Sequence, residues 1–247
     1  GKALLDLGTN TYDDAKSIMM QADGKILIAG ITDAQPTGGT VSSYNYGIAR
    51  LNADGSLDTS FGGVDTTNSN LRTGKALLDL GTNTYDDAKS IMMQADGKIL
   101  IAGITDAQPT GGTVSSYNYG IARLNADGSL DTSFGGVDTT NSNLRTGKAL
   151  VDIGANTLDQ AYSIVTQADG KILVAGSTNA QHTGGTGTSS NYGIVRLNAD
   201  GSLDTTFNQP TLTLALSTPA GGTTTTLGGI AKDGDSKQTT ITLDASS

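Results

Sequence analysis

Gln21-Ala22-Asp23-Gly24-Lys25-Ile26-Leu27-Ile28-Ala29-Gly30 occurs three times in this chain, returning at residues 94–103 and, with one change, at 167–176. Asp23-Gly24 supplies the backbone freedom that a two-residue hairpin turn needs. Ile26-Leu27-Ile28-Ala29 is apolar at every position, as in a strand buried between two layers. A second signature follows at a fixed distance in each copy: Tyr46-Gly47-Ile48-Ala49-Arg50-Leu51-Asn52-Ala53-Asp54-Gly55-Ser56-Leu57-Asp58.

The whole chain is built on this period. Residues 1–73 and 74–146 are identical, 147–207 form a diverged third copy aligned without a gap, and 208–247 break the pattern. Between the first and third copies Leu5 becomes Val151, Leu7 becomes Ile153, Met19 becomes Val165 and Ile28 becomes Val174, so apolar volume is held at strand positions. Larger changes, Pro36 to His182 and Tyr44 to Ser190, fall in a loop. Each copy reads as four short strands, in the first copy about 2–7, 15–21, 25–32 and 46–52. A long loop at 33–44 joins the third to the fourth, and a polar linker at 62–73 leads to the next copy. The expected fold is all-β: tandem four-stranded antiparallel repeats, propeller-blade-like, with a Thr-rich β tail at 208–247. Three blades are fewer than the roughly four to eight of most propellers. The array is therefore expected to be open, part of a larger ring, or completed between chains.

Composition narrows the function. The 247 residues carry a formal charge of −9, and Lys and Arg are scattered singly, which argues against nucleic acid as a partner. No apolar run approaches the roughly 18 residues of a membrane helix, so no membrane span is expected. Gly1 reads as mid-repeat with no leader before it, as in a processed or excised piece. With no Cys and one His, His182, zinc sites and Cys/His dyads are excluded. Nothing around His182 resembles a nucleophile elbow, and no enzyme or cofactor is expected.

Three constellations remain as candidate sites. Asn52, Asp54 and Asp58, repeated as Asn125, Asp127 and Asp131 and as Asn198, Asp200 and Asp204, place hard oxygen ligands in a Gly-containing loop, the donor type calcium takes. The same residues make a hairpin turn closed by side-chain-to-backbone bonds, which is the favoured reading, because no bidentate Glu or flanking helix is present. Asp13-Asp14 is an acidic pair whose members point to opposite faces of a strand, which fits a turn or solvated role. Tyr44, Tyr46, Tyr117 and Tyr119 offer rings for stacking on host or matrix glycans; packing of Tyr46, Tyr119 and Tyr192 beside the fourth strand is the favoured alternative.

The repeat pattern also exposes a junction. If the fourth strand of one blade pairs with the first strand of the next copy, residues 1–8 have no preceding blade, and 211–217 form a spare strand at the other end. Leu4, Leu5 and Leu7, with Leu212, Leu214 and Leu216, are then the expected assembly interface for head-to-tail self-association into a homopolymer. Closure of one compact monomer by the same two stretches is the alternative.

The paired signatures, Gln-Ala-Asp-Gly-Lys-Ile-Leu-Ile-Ala-Gly and Ile-Ala-Arg-Leu-Asn-Ala-Asp-Gly-Ser-Leu-Asp-Thr-Ser-Phe-Gly, resemble the bacterial delta-60 repeat family. The resemblance covers residues 1–207 and leaves out the tail. It implies large secreted or surface-attached proteins with propeller-like blades, hence an extracellular or cell-surface location. It carries no catalytic residues to transfer. The expected function is a structural, non-enzymatic fibre or adhesin; the alternative is a propeller-type binding module, lectin-like or for a protein ligand, using loops 33–44, 106–117 and 179–190.

Overall fold

A computed structural model of the chain describes residues 1–35, 43–63, 72–81, 84–108, 116–136, 145–154, 157–181 and 189–208. Gly1–Ala180 and Thr188–Asp204 form one compact unit; Gln181–Gly187 and Thr205–Ser247 form a second, in which the described stretch 205–208 is a turn. The tail strands expected at 211–217 and 238–244, with Leu212, Leu214 and Leu216, and also His182, lie outside the described residues.

The first unit holds eleven strands among its described residues and no helix. β1 (Asp13–Met20), β2 (Ile26–Thr32), β3 (Asn45–Leu51) and β4 (Lys75–Leu78) make the first antiparallel sheet. β5 (Asp86–Met93), β6 (Ile99–Thr105), β7 (Asn118–Leu124) and β8 (Lys148–Val151) make the second. β9 (Asp159–Thr166), β10 (Ile172–Thr178) and β11 (Asn191–Leu197) make the third. A blade is thus not one copy of the repeat. It takes three strands from one copy and its fourth from the next, with Tyr46 opposite Leu78, Ile48 opposite Ala76 and Ala49 opposite Lys75. Residues 2–7, expected as a strand, form none; Leu4 is 98% exposed.

Local chemistry explains the elements. The first hairpin turns through the three residues Ala22-Asp23-Gly24. Gly24 N–H donates to Gln21 O at 3.0 Å and Gln21 N–H to Lys25 O at 2.7 Å, with Gly24 at φ +82°. This is a type I turn followed by a left-handed residue, which glycine adopts without a Cβ penalty. Asn52 to Ser56 repeats the device: Gly55 N–H donates to Asn52 O at 2.9 Å and Asn52 N–H to Ser56 O at 2.8 Å.

The three sheets stack face on face, and the core lies in the two seams. Leu27, Ala29 and Ile48 of the first sheet meet Ile91, Ile99 and Ile101 of the second. Leu100, Ala102 and Ile121 on the second sheet's other face meet Ile164, Ile172 and Val174 of the third. Among the described residues only the middle sheet is covered on both sides, which accounts for strands apolar on both faces. Within the first copy Ile48 and Leu51 are buried, Ile26 and Ile28 are half-buried, and Leu4 and Ile18 stand exposed on the open face of the first sheet.

Candidate functional site

Each seam is a peg in a socket. Gly103 and Gly120 are register partners on β6 and β7. A Cβ on Gly103 would stand 2.1 Å from the Asp87 carbonyl oxygen, so only glycine fits, and β5 bulges there between Ala88 and Ser90. The bare glycine pair leaves a hollow that Tyr46 of the preceding sheet fills. Its hydroxyl lies 2.8 Å from where a Cβ of either glycine would be and donates to the Gly120 carbonyl at 3.0 Å. Burial pushes the Tyr46 hydroxyl's pKa well up, with the Asp86 and Asp87 charges adding, so it remains a donor. Tyr119 repeats this against Gly176 and Gly193, donating to the Gly193 carbonyl at 3.0 Å.

Polar bonds rivet the rim of each seam. Asp86 N–H donates to Tyr44 O at 2.9 Å and Gly62 N–H to Asp127 O at 2.8 Å; Asp159 to Tyr117 at 2.8 Å and Gly135 to Asp200 at 2.9 Å repeat them. Arg50 lies over the Phe61 ring at 4.6 Å, donates from Nε to Asp58 at 2.6 Å, and crosses the seam from Nη1 to the Ala126 carbonyl at 2.6 Å. Arg123 does the same with Phe134, Asp131 and Ala199. Burial raises the Asp58 carboxyl's pKa, yet bonds from Ser60, Lys25 and Arg50 outweigh it and hold it well below the usual carboxylate range. The same balance holds for Asp131, with Lys98, Ser133 and Arg123.

The calcium candidates therefore have protein partners. The Asn52 amide donates to Ser56 Oγ, Asp54 accepts from the Ser56 N–H and hydroxyl, and Asp58 pairs with Lys25 at 2.9 Å and with Arg50. Asn125, Asp127 and Asp131 hold the same places, and Asn198, Asp200 and Asp204 follow; Asp127 and Asp200 also accept from Arg72 and Arg145 across the seams. Among the described residues no three Asp, Glu or His side chains stand together as a metal site.

Two expectations change. The first Asp of the Asp13-Asp14 pair is not a solvated turn residue. Its equivalents Asp86 and Asp159 are buried, and each ties the loop before it to the sheet: Asp86 accepts from Leu80 N–H at 2.7 Å, Thr84 at 3.1 Å and Thr105. The signal was present, since this position alone of the pair persists as Asp159. Burial drives the Asp86 carboxyl up to about 6. Tyr46 and Tyr119 pack as buried pegs, the favoured reading, whereas Tyr192, expected to pack with them, is 96% exposed. Four other tyrosines build a ladder no spacing rule foretold: Tyr12, Tyr44, Tyr85 and Tyr117 follow one another with ring centroids 6.1, 5.5 and 5.8 Å apart.

The ends of the stack expose what its middle hides. β1 and β5 have one sequence, yet Ile18 is 70% exposed and Ile91 6%. Ile194 is 56% exposed where Ile48 and Ile121 are fully buried. On the first sheet's open face a cleft of about 280 Å³ is lined by Leu4, Leu5 and Leu7, with Gly30 and Gly47 among the residues below.

Three segments, 21–61, 94–134 and 167–207, match the family model described as "Domain of unknown function (DUF5122) beta-propeller". No curated protein matches the chain. Among solved structures, a glycoside hydrolase of class GH43_12 retrieved from a capybara gut metagenome shares 15% identity at a TM-score of 0.40. That alignment covers 80% of this chain, which spans 30% of the hydrolase chain. The chain carries tandem β-propeller-type repeats in three stacked sheets that do not close into a ring among the described residues.

Proposed function

We propose that this array of β-propeller-type repeats is a structural, non-enzymatic extracellular protein that associates head to tail into a surface fibre or adhesin, as the delta-60 resemblance implies. One observation carries the reading: the first sheet's open face and the third sheet's open face are the two halves of the seam that the chain builds twice within itself. A heterologous contact of that kind propagates unless its rotation closes. The edge of β11, which has no outer strand among the described residues, adds to it, since an unpaired edge is a template for another chain.

Light scattering over a concentration series, with electron micrographs of the same sample, tests this. Long regular filaments are expected. A monomer at every concentration, or a discrete closed dimer, overturns the fibre.

The tyrosine ladder favours a second reading, a glycan-binding surface. Aromatic rings in a row present apolar faces with polar tips, the pattern that sugar recognition uses. Because the chain has no Trp, tyrosine fluorescence reports directly on the rings. Saturable quenching by an oligosaccharide, abolished in Tyr44→Ala, would support this reading; no change with a panel of glycans would reject it.

A further inference from the structure

The repeat defines three sockets, Gly30/Gly47, Gly103/Gly120 and Gly176/Gly193, and three pegs, Tyr46, Tyr119 and Tyr192. Tyr46 fills the second socket and Tyr119 the third. Tyr192 and the Gly30/Gly47 socket remain. The walls of that socket are already those of the filled ones. A Cβ on Gly47 would meet Leu7 Cδ1 at 2.3 Å, and one on Gly120 meets Leu80 Cδ1 at 2.4 Å. The cleft of about 280 Å³ on the open face of the first sheet is lined by this glycine pair.

The strand count has the same remainder. The first two sheets take a fourth strand from the following copy, and the third has only three strands among the described residues. Residues 2–5 have the sequence of β4, Lys-Ala-Leu-Leu, but no β3-type edge to join. Carrying the register of β3 and β4 forward by two repeats sets Tyr192 opposite Leu5, Ile194 opposite Ala3 and Val195 opposite Lys2.

We infer that the third sheet takes up the first sheet of a second copy of this chain. Tyr192 enters the Gly30/Gly47 socket with its hydroxyl on the Gly47 carbonyl, and residues 2–5 of that copy complete the blade as a fourth strand on β11. This rests on the head-to-tail reading above and specifies its geometry. The occupant is a second copy because the surface it must match is the seam itself, and the first sheet is that seam's other half in identical sequence. The Asp13 amide would then meet the Ser190 carbonyl, as Asp86 meets Tyr44. The junction differs from one made by the tail, residues 211–217, which would compete for the same edge.

The chain has no cysteine, so paired thiols report the junction cleanly. Full-length Ala3→Cys and Ile194→Cys proteins are mixed and oxidised, and association is followed in parallel by light scattering. The expected result is a disulfide-linked pair of the two variants, with little product from Leu4→Cys and Ile194→Cys, whose side chains leave opposite faces of the sheet. Tyr192→Phe is expected to weaken association about fivefold. Association without the Ala3–Ile194 link would overturn this geometry and leave head-to-tail assembly standing. Absence of association would overturn both. A link that closes within a monomer of the Leu214→Cys, Ile194→Cys double variant would assign the edge to the tail and overturn the inference.

Discussion

At the scale of single residues, a few buried carboxyls make stability depend on pH. Asp86 has a folded pKa of about 6 against an ordinary value of 3.8. Between those values the folded chain holds a proton that the unfolded chain has released, so stability falls as pH rises from about 4 to about 6. Two pKa units correspond to about 3 kcal/mol. Asp58 and Asp131 run the other way: their depressed values give stability that is present above about pH 4 and is lost in stronger acid. The urea midpoint is therefore expected to be higher at pH 5 than at pH 7.5. Asp86→Asn should remove most of that difference, and a midpoint that rises toward pH 7.5 would contradict the assignment. Arg123→Lys, which keeps charge but loses the fork to Asp131 and Ala199 and the stacking on Phe134, should cost about 3 kcal/mol in the same assay. Tyr119→Phe should cost about 1–2 kcal/mol, because the Gly193 carbonyl loses its buried donor.

At the scale of elements, the glycine pairs fix how closely sheets approach. Gly103→Ala puts a methyl 2.1 Å from a backbone oxygen that cannot retreat without moving β5, and a loss of about 3 kcal/mol in urea melts is expected. Gly55→Ala, with open space around it and φ +87°, should cost only about 1 kcal/mol. The same contrast explains what the sequence made legible. Turns and strands follow from local chemistry, and Asp-Gly with Ile-Leu-Ile-Ala is enough to place β2, β6 and β10. The strand exchange between copies was readable as a conditional, from the order of strands within the repeat. Packing of Tyr46 and Tyr119 was readable, since their position keeps its tyrosine in every copy while Tyr44 becomes Ser190; the glycine socket that each fills was not, because the neighbouring sheet supplies it. The persistence of Asp86 as Asp159 marked the position, but its partners Leu80 and Thr105 were not readable, because they come from either side of it along the chain.

At the scale of the whole molecule, identical sequences in unlike surroundings make the chain its own control. A peptide covering residues 26–32 has the same mass as one covering 99–105, but the first lies under an open face and the second under a closed one. Hydrogen exchange of that peptide should show two isotopic populations in dilute solution, merging as concentration rises if a second copy covers the first sheet; a single population when dilute would deny the difference in protection. Ile91→Asp should unfold the stack, and Ile18→Asp should leave it folded and dissociated, as circular dichroism and scattering would report. Because the net charge is −9, added salt should favour association. The loan of one strand across every copy boundary has an evolutionary corollary. A recombination that adds or deletes a whole unit returns the same donor to the same acceptor, so the array can change length without inventing an interface, and selection on length is freed from selection on fold.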